Sequence, residues 1–185
     1  MTDMFPRVGF LHHGYDCEQV DDFFASVKAA YERTVVDPNG LAPLDIRHAA
    51  FDLTGRGYKT TSVDAALDRL EDAFAARMRD QFVHANGRDA WNAQLAARAQ
   101  VLYERLRRPK GDRFSRPAIL NRGYYVKEVD ALLDRITAFF DTGAVLTPQD
   151  LRTATFARRR KGRAYDERQV DAYVARAIDI LLGVQ

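Results

Sequence analysis

The chain of 185 residues has a single cysteine, Cys17, which excludes an intramolecular disulfide and any multi-cysteine metal site. No apolar run approaches the ~20 residues a membrane span needs. The opening MTDMFPRVGF lacks the charged start and apolar core of a signal peptide, so a cytoplasmic chain is expected. Charge of one sign is missing too. Lys and Arg number 28 against 26 Asp and Glu, a formal net charge of +2, so bulk charge does not argue for nucleic acid. No Gly-rich phosphate loop follows a strand. His12, His13, His48 and His84 have no metal-ligand spacing with one another or with Cys17. Asp16 and Glu18 flank Cys17 and oppose a thiolate, so it reads as a small residue in a first helical turn. No enzyme activity, cofactor or metal is expected.

Hydrophobic residues make up 46% and charged residues 29% of the chain, the balance of a folded protein with one core or two small ones. Positive charge is local rather than general. It concentrates in RLRRPKGDRFSR at 105–116 and RRRKGR at 158–163, which holds Arg158, Arg159, Arg160, Lys161 and Arg163.

Four stretches share one skeleton: GYDCEQVDDFF at 14–24, GYKTTSVDAAL at 57–67, GYYVKEVDALL at 123–133 and AYDERQVDAYV at 164–174. Tyr15, Tyr58, Tyr124 and Tyr165 are each followed five positions later by Val20, Val63, Val129 and Val170, then by Asp21, Asp64, Asp130 and Asp171. The stretches before the tyrosines sort the copies into two types. In copies one and three, Phe5 and Phe114 stand ten residues before the tyrosine. Copies two and four share the lead-ins PLDIRHAAF at 43–51 and PQDLRTATF at 148–156. The order is a duplicated pair, with valine-to-valine separations of 43 and 41 residues.

Each motif reads as a helix start. Asp16 and Asp166 are placed as N-caps with Gln19 and Gln169 three residues on, a variant of the capping box, and the tyrosine and valine take the two positions of a hydrophobic staple. Lys59 and Tyr125 stand at the cap positions of copies two and three. Val20, Phe23, Phe24, Val27 and Tyr31 then form an amphipathic stripe, repeated by Val129, Leu132, Leu133, Ile136 and Phe140 and by Val170, Tyr173, Val174, Ala177 and Leu181. Gly14, Gly57 and Gly123 precede the tyrosines, where positive φ is the expected need. Ala164 breaks that rule, so a different turn is expected in copy four, whose loop is two residues longer than that of copy two.

Between the halves, the helix of copy two extends through Val63, Leu67, Leu70, Phe74, Met78 and Phe82. Asn86-Gly87 breaks it, and Asp89 is the expected N-cap of a second helix ended by Pro109. The fold class is therefore mainly α: a duplicated pair of short-helix, loop and helix motifs with an inserted αα-hairpin and little or no sheet. The expected divisions are 1–83 for the first pair, 84–110 for the hairpin's second helix and 111–185 for the second pair, in one compact unit.

Residues 43–71 and 147–174 resemble the N-terminal domain of DivIVA proteins, which organise cell poles and division sites in Gram-positive bacteria. The closest likeness is to actinobacterial proteins built from repeated DivIVA-type motifs. The resemblance covers the four motifs and not the hairpin. It implies a scaffold for division or polar growth that works through other proteins or copies of itself. It also implies a loop before Gly-Tyr in which an arginine beside a hydrophobic residue enters the membrane. That arginine is carried by Arg56, Arg122 and Arg163, with His13 in copy one; the hydrophobic position holds His12, Gly55, Asn121 and Gly162.

The leading expectation is a non-enzymatic interaction protein. The alternative is peripheral binding to an anionic membrane on its inner face through Arg158–Arg160, Lys161 and Arg163. Nucleic-acid binding, with Arg105, Arg107, Arg108 and Lys110 joining that run, ranks below both because the clusters would have to converge.

Overall fold

The computed structural model describes residues 3–33, 40–118 and 120–184, the side chain of Lys161 excepted. Over these residues it is mainly helical with five short strands. In chain order these are β1 (His13–Tyr15), α1 (Cys17–Glu32), α2 (Pro43–Arg47), β2 (Leu53–Gly55), α3 (Thr60–Asn86), α4 (Arg88–Leu106), β3 (Arg122–Tyr125), α5 (Val126–Thr142), α6 (Pro148–Arg152), β4 (Arg158–Arg160), β5 (Ala164–Tyr165) and α7 (Glu167–Val184). The chain forms two units, residues 1–81 and 82–185.

In the first unit β1 and β2 pair antiparallel, with Gly14 opposite Thr54 and Tyr15 opposite Leu53. The core comprises Val20 and Val27 of α1, Ile46 of α2, Tyr58, and Val63, Leu67 and Phe74 of α3. The expected stripe on α1 is therefore the buried one, although Tyr31 stays 44% exposed. In the second unit β3 is central in a three-stranded antiparallel sheet ordered β4-β3-β5. Val129, Leu132, Leu133 and Ile136 of α5 are buried there, as are Leu151 of α6 and Val170, Tyr173, Ala177 and Leu181 of α7.

The lead-in residues each have a structural task. Pro43 and Pro148 open α2 and α6, where a missing N–H costs nothing. Asp45 and Asp150 accept from the backbone N–H of Ala42 and Thr147 at 2.8 and 2.9 Å, capping those first turns. Ile46 and Leu151 are buried, and Phe51 and Phe156 lie against Tyr15 and Tyr124 with ring centroids 5.4 and 5.1 Å apart. Arg47 pairs with Glu71, which is only 1% exposed.

The helix break falls at Asn86-Gly87 as expected, but the cap of the next helix stands two residues before the expected Asp89. Gly87 is the N-cap of α4 with φ 88°, so Asp89 lies inside the first turn. The left-handed value explains the choice: glycine adopts it without a Cβ penalty, and aspartate would be strained. α4 packs on α7 and α5. Its Trp91 indole N–H donates to the Gly183 carbonyl at 3.1 Å, and the Tyr173 hydroxyl donates to the Leu102 carbonyl at 3.3 Å.

Candidate functional site

Each unit is organised around a crossing of its two motifs. Tyr15 and Tyr58 exchange backbone hydrogen bonds in both directions, at 2.9 and 2.8 Å. Tyr124 and Tyr165 are cross-strand partners at the same place in the second unit. Such close approach requires glycine for a reason other than the expected one. Gly14, Gly57 and Gly123 do not have positive φ. A Cβ on Gly14 would sit 2.2 Å from the Tyr58 carbonyl oxygen, on Gly57 2.4 Å from that of Tyr15, and on Gly123 2.0 Å from that of Tyr165. The glycines make room for crossing backbone, not for a turn. Ala164 stands fully buried at the fourth position. The turn before it differs as expected: β4 runs into a 3-10 turn at Lys161–Arg163, where the first unit turns through Arg56 at φ 59°.

The crossing extends to the side chains. The Tyr58 hydroxyl donates to Asp21 at 3.2 Å and receives the Met4 N–H at 3.1 Å. Likewise the Tyr165 hydroxyl donates to Asp130 at 3.1 Å and receives the Arg113 N–H at 3.2 Å. Tyr15 faces the Asp64 carboxylate, and Tyr124 that of Asp171, in the same crossed sense. The tyrosine of one motif therefore meets the Val-Asp aspartate of the other. Burial pushes all four phenols up, and the facing carboxylates add to it. Burial also raises Asp171, against the lowering effect of the Tyr124 bond.

The caps cross as well. The backbone N–H groups of Asp16, Lys59, Tyr125 and Asp166 donate to the carbonyls of Asp52, Pro6, Ala157 and Ser115 at 2.8–2.9 Å. Asp16 and Asp166 cap as expected, accepting from the Gln19 and Gln169 N–H at 3.1 and 3.2 Å. The glutamines do not close the box. Gln19 binds Asp52 through both ends of its amide, and Gln169 accepts from the Ser115 N–H at 3.2 Å. With the cap N–H already held by the neighbouring segment, the amide has a better partner across the crossing.

The predicted loop residues gather at the strand turns, one group per unit. In the first, His12, His13 and Arg56 are exposed, with Arg56 N–H on the His12 carbonyl and its guanidinium 4.6 Å from the Phe10 ring centroid. In the second, Arg122 stands opposite Arg160, Arg158 opposite Tyr124, and Arg163 closes the 3-10 turn. Arg158 pairs with Glu167 at 2.8 Å, and Arg159 covers the Tyr125 ring at 5.2 Å. The side chain of Lys161 lies outside the described residues. The second basic cluster is partly committed internally. Arg105 donates to the Arg113 carbonyl at 2.9 Å and Lys110 pairs with Asp134 at 2.7 Å.

No hydrophobic residue directly precedes the loop arginines Arg56, Arg122 and Arg163. The exposed apolar side chains lie slightly earlier: Phe10 is 75%, Leu11 85% and Leu120 96% exposed. Their signal was FL at 10–11 and IL at 119–120, at matching distances before the two Gly-Tyr pairs.

Among the described residues no group of three or more His, Cys, Asp or Glu is placed to hold a metal, and no helix is long and apolar enough to cross a membrane. Compared with protein-family models, curated proteins and solved structures, the chain matches none of them.

Proposed function

We propose that the chain is a non-enzymatic, DivIVA-like interaction protein of the cytoplasm, built by duplication of a motif pair and linked to bacterial cell division or polar growth. The observation that carries this reading is the crossed Tyr-Asp exchange repeated in both units. Two helix starts meet there as two chains of a dimer would, and the repeated chemistry is spent on holding the crossing together. What is left for recognition is the loop set at each strand turn. A fluorescent fusion of the full chain tests the reading in a rod-shaped actinobacterium. Enrichment at poles or septa, lost when Phe10, Leu11 and Arg56 are replaced together, is the expected result. Uniform fluorescence with no self-association in light scattering would sink it.

A second reading, peripheral binding to anionic membrane, is favoured by the exposed Phe10, Leu11 and Leu120 beside Arg56 and Arg122. Apolar side chains at loop tips gain from insertion while neighbouring arginines meet lipid phosphates, at about 1 kcal/mol per basic residue. Co-sedimentation with phosphatidylglycerol vesicles decides. Salt-sensitive binding that disappears in Phe10→Ser/Leu11→Ser/Leu120→Ser supports it, and binding unaffected by those changes removes it.

A further inference from the structure

A groove of about 560 Å³ lies in the second unit between the segment before β3 and the first turn of α7. Its walls include Pro117, Leu120, Arg122, Arg158, Glu167 and Arg168. The strand register puts Arg122, Arg158 and Arg160 on one face of the sheet, since Arg122 is opposite Arg160 and Tyr124 opposite Arg158. Arg122 and Arg160 are thus like charges directly across two strands, an arrangement that destabilises a sheet. The fold does not require it. In the first unit the corresponding register places His13 opposite Gly55 and Tyr15 opposite Leu53. Thr61, three residues after Tyr58, stands where Arg168 follows Tyr165. The same architecture therefore forms with no arginine at any of these places.

Among the described residues the lining's own carboxylates, Asp166 and Glu167, offset only part of the charge of Arg122, Arg158 and Arg168. Arg158 has Glu167, and the Asp166 carboxylate caps α7 through the Gln169 N–H at 3.2 Å. Among the described residues Arg122 and Arg168 have no side-chain partner. The apolar wall is equally uncovered, with Leu120 96% exposed.

We propose that this groove binds an acidic segment of another protein, with two or more carboxylates set against Arg122, Arg158 and Arg168 and an apolar side chain against Leu120 and Pro117. Concavity favours a polypeptide segment over a bilayer, which meets protruding tips rather than a groove floor, and the volume is that of a site for a short ligand rather than a duplex. Arginine forks suit planar carboxylates, and Glu167 already accepts one Arg158 N–H at 2.8 Å from within the chain. Glu167 is then an internal competitor that an incoming carboxylate displaces. The proposal rests on the reading of the chain as an interaction protein and names the chemistry of one partner.

Fluorescence anisotropy with the full chain tests it, using a labelled nine-residue peptide of Asp, Glu and Leu and its Asn, Gln and Leu counterpart. The acidic peptide is expected to bind, salt-sensitively, and the neutral one about tenfold or more weakly. Arg122→Gln/Arg158→Gln/Arg168→Gln should lose about tenfold in affinity. Glu167→Gln should gain several-fold, a rise that a merely structural role for Glu167 would not produce. Phosphatidylglycerol vesicles and a short DNA duplex serve as competitors. No acidic-peptide binding at about 1 mM, equal binding of the neutral peptide, or displacement by vesicles or duplex from a site the triple variant leaves intact would each overturn the proposal. Failure here leaves the polar or septal localisation of the fusion unchanged, whereas failure of the broader reading abolishes that localisation.

Discussion

The Tyr58 hydroxyl reaches the Asp21 carboxylate at 3.2 Å across 37 positions of sequence, and Tyr165 reaches Asp130 at 3.1 Å across 35. The two bonds look alike, but their surroundings differ. Asp130 also accepts the Gly111 N–H at 2.8 Å and lies 3.8 Å from the guanidinium of Arg113, itself 5% exposed. The second Asp21 oxygen is buried and meets no hydrogen-bond partner among the described residues.

Asp130→Ala should therefore be much more damaging than Asp21→Ala. Removing Asp130 leaves the Gly111 N–H and the Tyr165 hydroxyl without their acceptor, at about 2 kcal/mol or more, while Arg113 keeps Asp134 at 3.0 Å. Removing Asp21 deletes one bond but also an unsatisfied oxygen, for about 1 kcal/mol. Native-state hydrogen exchange reads the amides of α1 and α5 separately and gives both values. Equal losses would contradict the role of Asp130 as acceptor for both Gly111 and Tyr165.

Glycine replacements separate close approach from turn geometry. Gly14→Ala and Gly123→Ala place a Cβ 2.2 and 2.0 Å from backbone carbonyl oxygens, which cannot swing aside as a side chain can. Each should abolish folding of its own unit. Gly55→Ala and Gly162→Ala meet nothing within 4 Å and have no positive φ, so they should change stability by less than about 0.5 kcal/mol. Circular dichroism on the four proteins tests the contrast, and a well-folded Gly14→Ala would refute the crossing as described.

The Arg47-Glu71 pair offers an internal comparison. Glu71 is nearly inaccessible on α3, and the residue at the same distance after the motif tyrosine on α7 is Ile178, also buried. Glu71→Ala breaks this largely buried pair and should cost about 3 kcal/mol. Arg47→Leu/Glu71→Ile should recover most of that loss, because a buried pair often exchanges for apolar packing at little cost. Chemical denaturation of the single and double variants measures it. A double variant as weak as the single one would mean the pair has a role beyond filling space.

How much of this was readable in the sequence follows from range. Caps at Asp16 and Asp166, the stripe from Val20 to Val27 and the break at Asn86-Gly87 depend on neighbours within a few residues, and periodicity reveals them. The partners of Asp21, Asp64, Asp130 and Asp171 do not, because each facing pair joins two motifs and requires knowing how they cross. The identical Tyr-to-Asp spacing in all four copies was the available signal. Gln19 and Gln169 misled for the opposite reason: a local partner was in reach, and a more distant one was better placed. Phe10, Leu11 and Leu120 are apolar residues of the kind that usually signal a core, and only exposure distinguishes them. The loop arginines were visible as a run, but their grouping on one sheet face needed the β3-β4 register.

The tyrosines also set an alkaline limit. Burial first, then the facing aspartates, raise the folded-state pKa of Tyr15, Tyr58, Tyr124 and Tyr165 above the unfolded value of 10.0. Neutral phenol is thus the form the fold prefers. Its contribution is fully present below pH 10 and declines as pH rises from there toward the higher folded values, because only the unfolded chain ionises freely. Tyr173, buried under α4, is raised by desolvation and moves in the same direction. Absorbance at 295 nm should show these tyrosines ionising late and together with loss of helix. Tyr58→Phe/Tyr165→Phe should remove part of that cooperative step while leaving the protein folded at pH 7. Independent ionisation near the ordinary value, with helicity retained, would mean that the Tyr-Asp crossing is open to solvent.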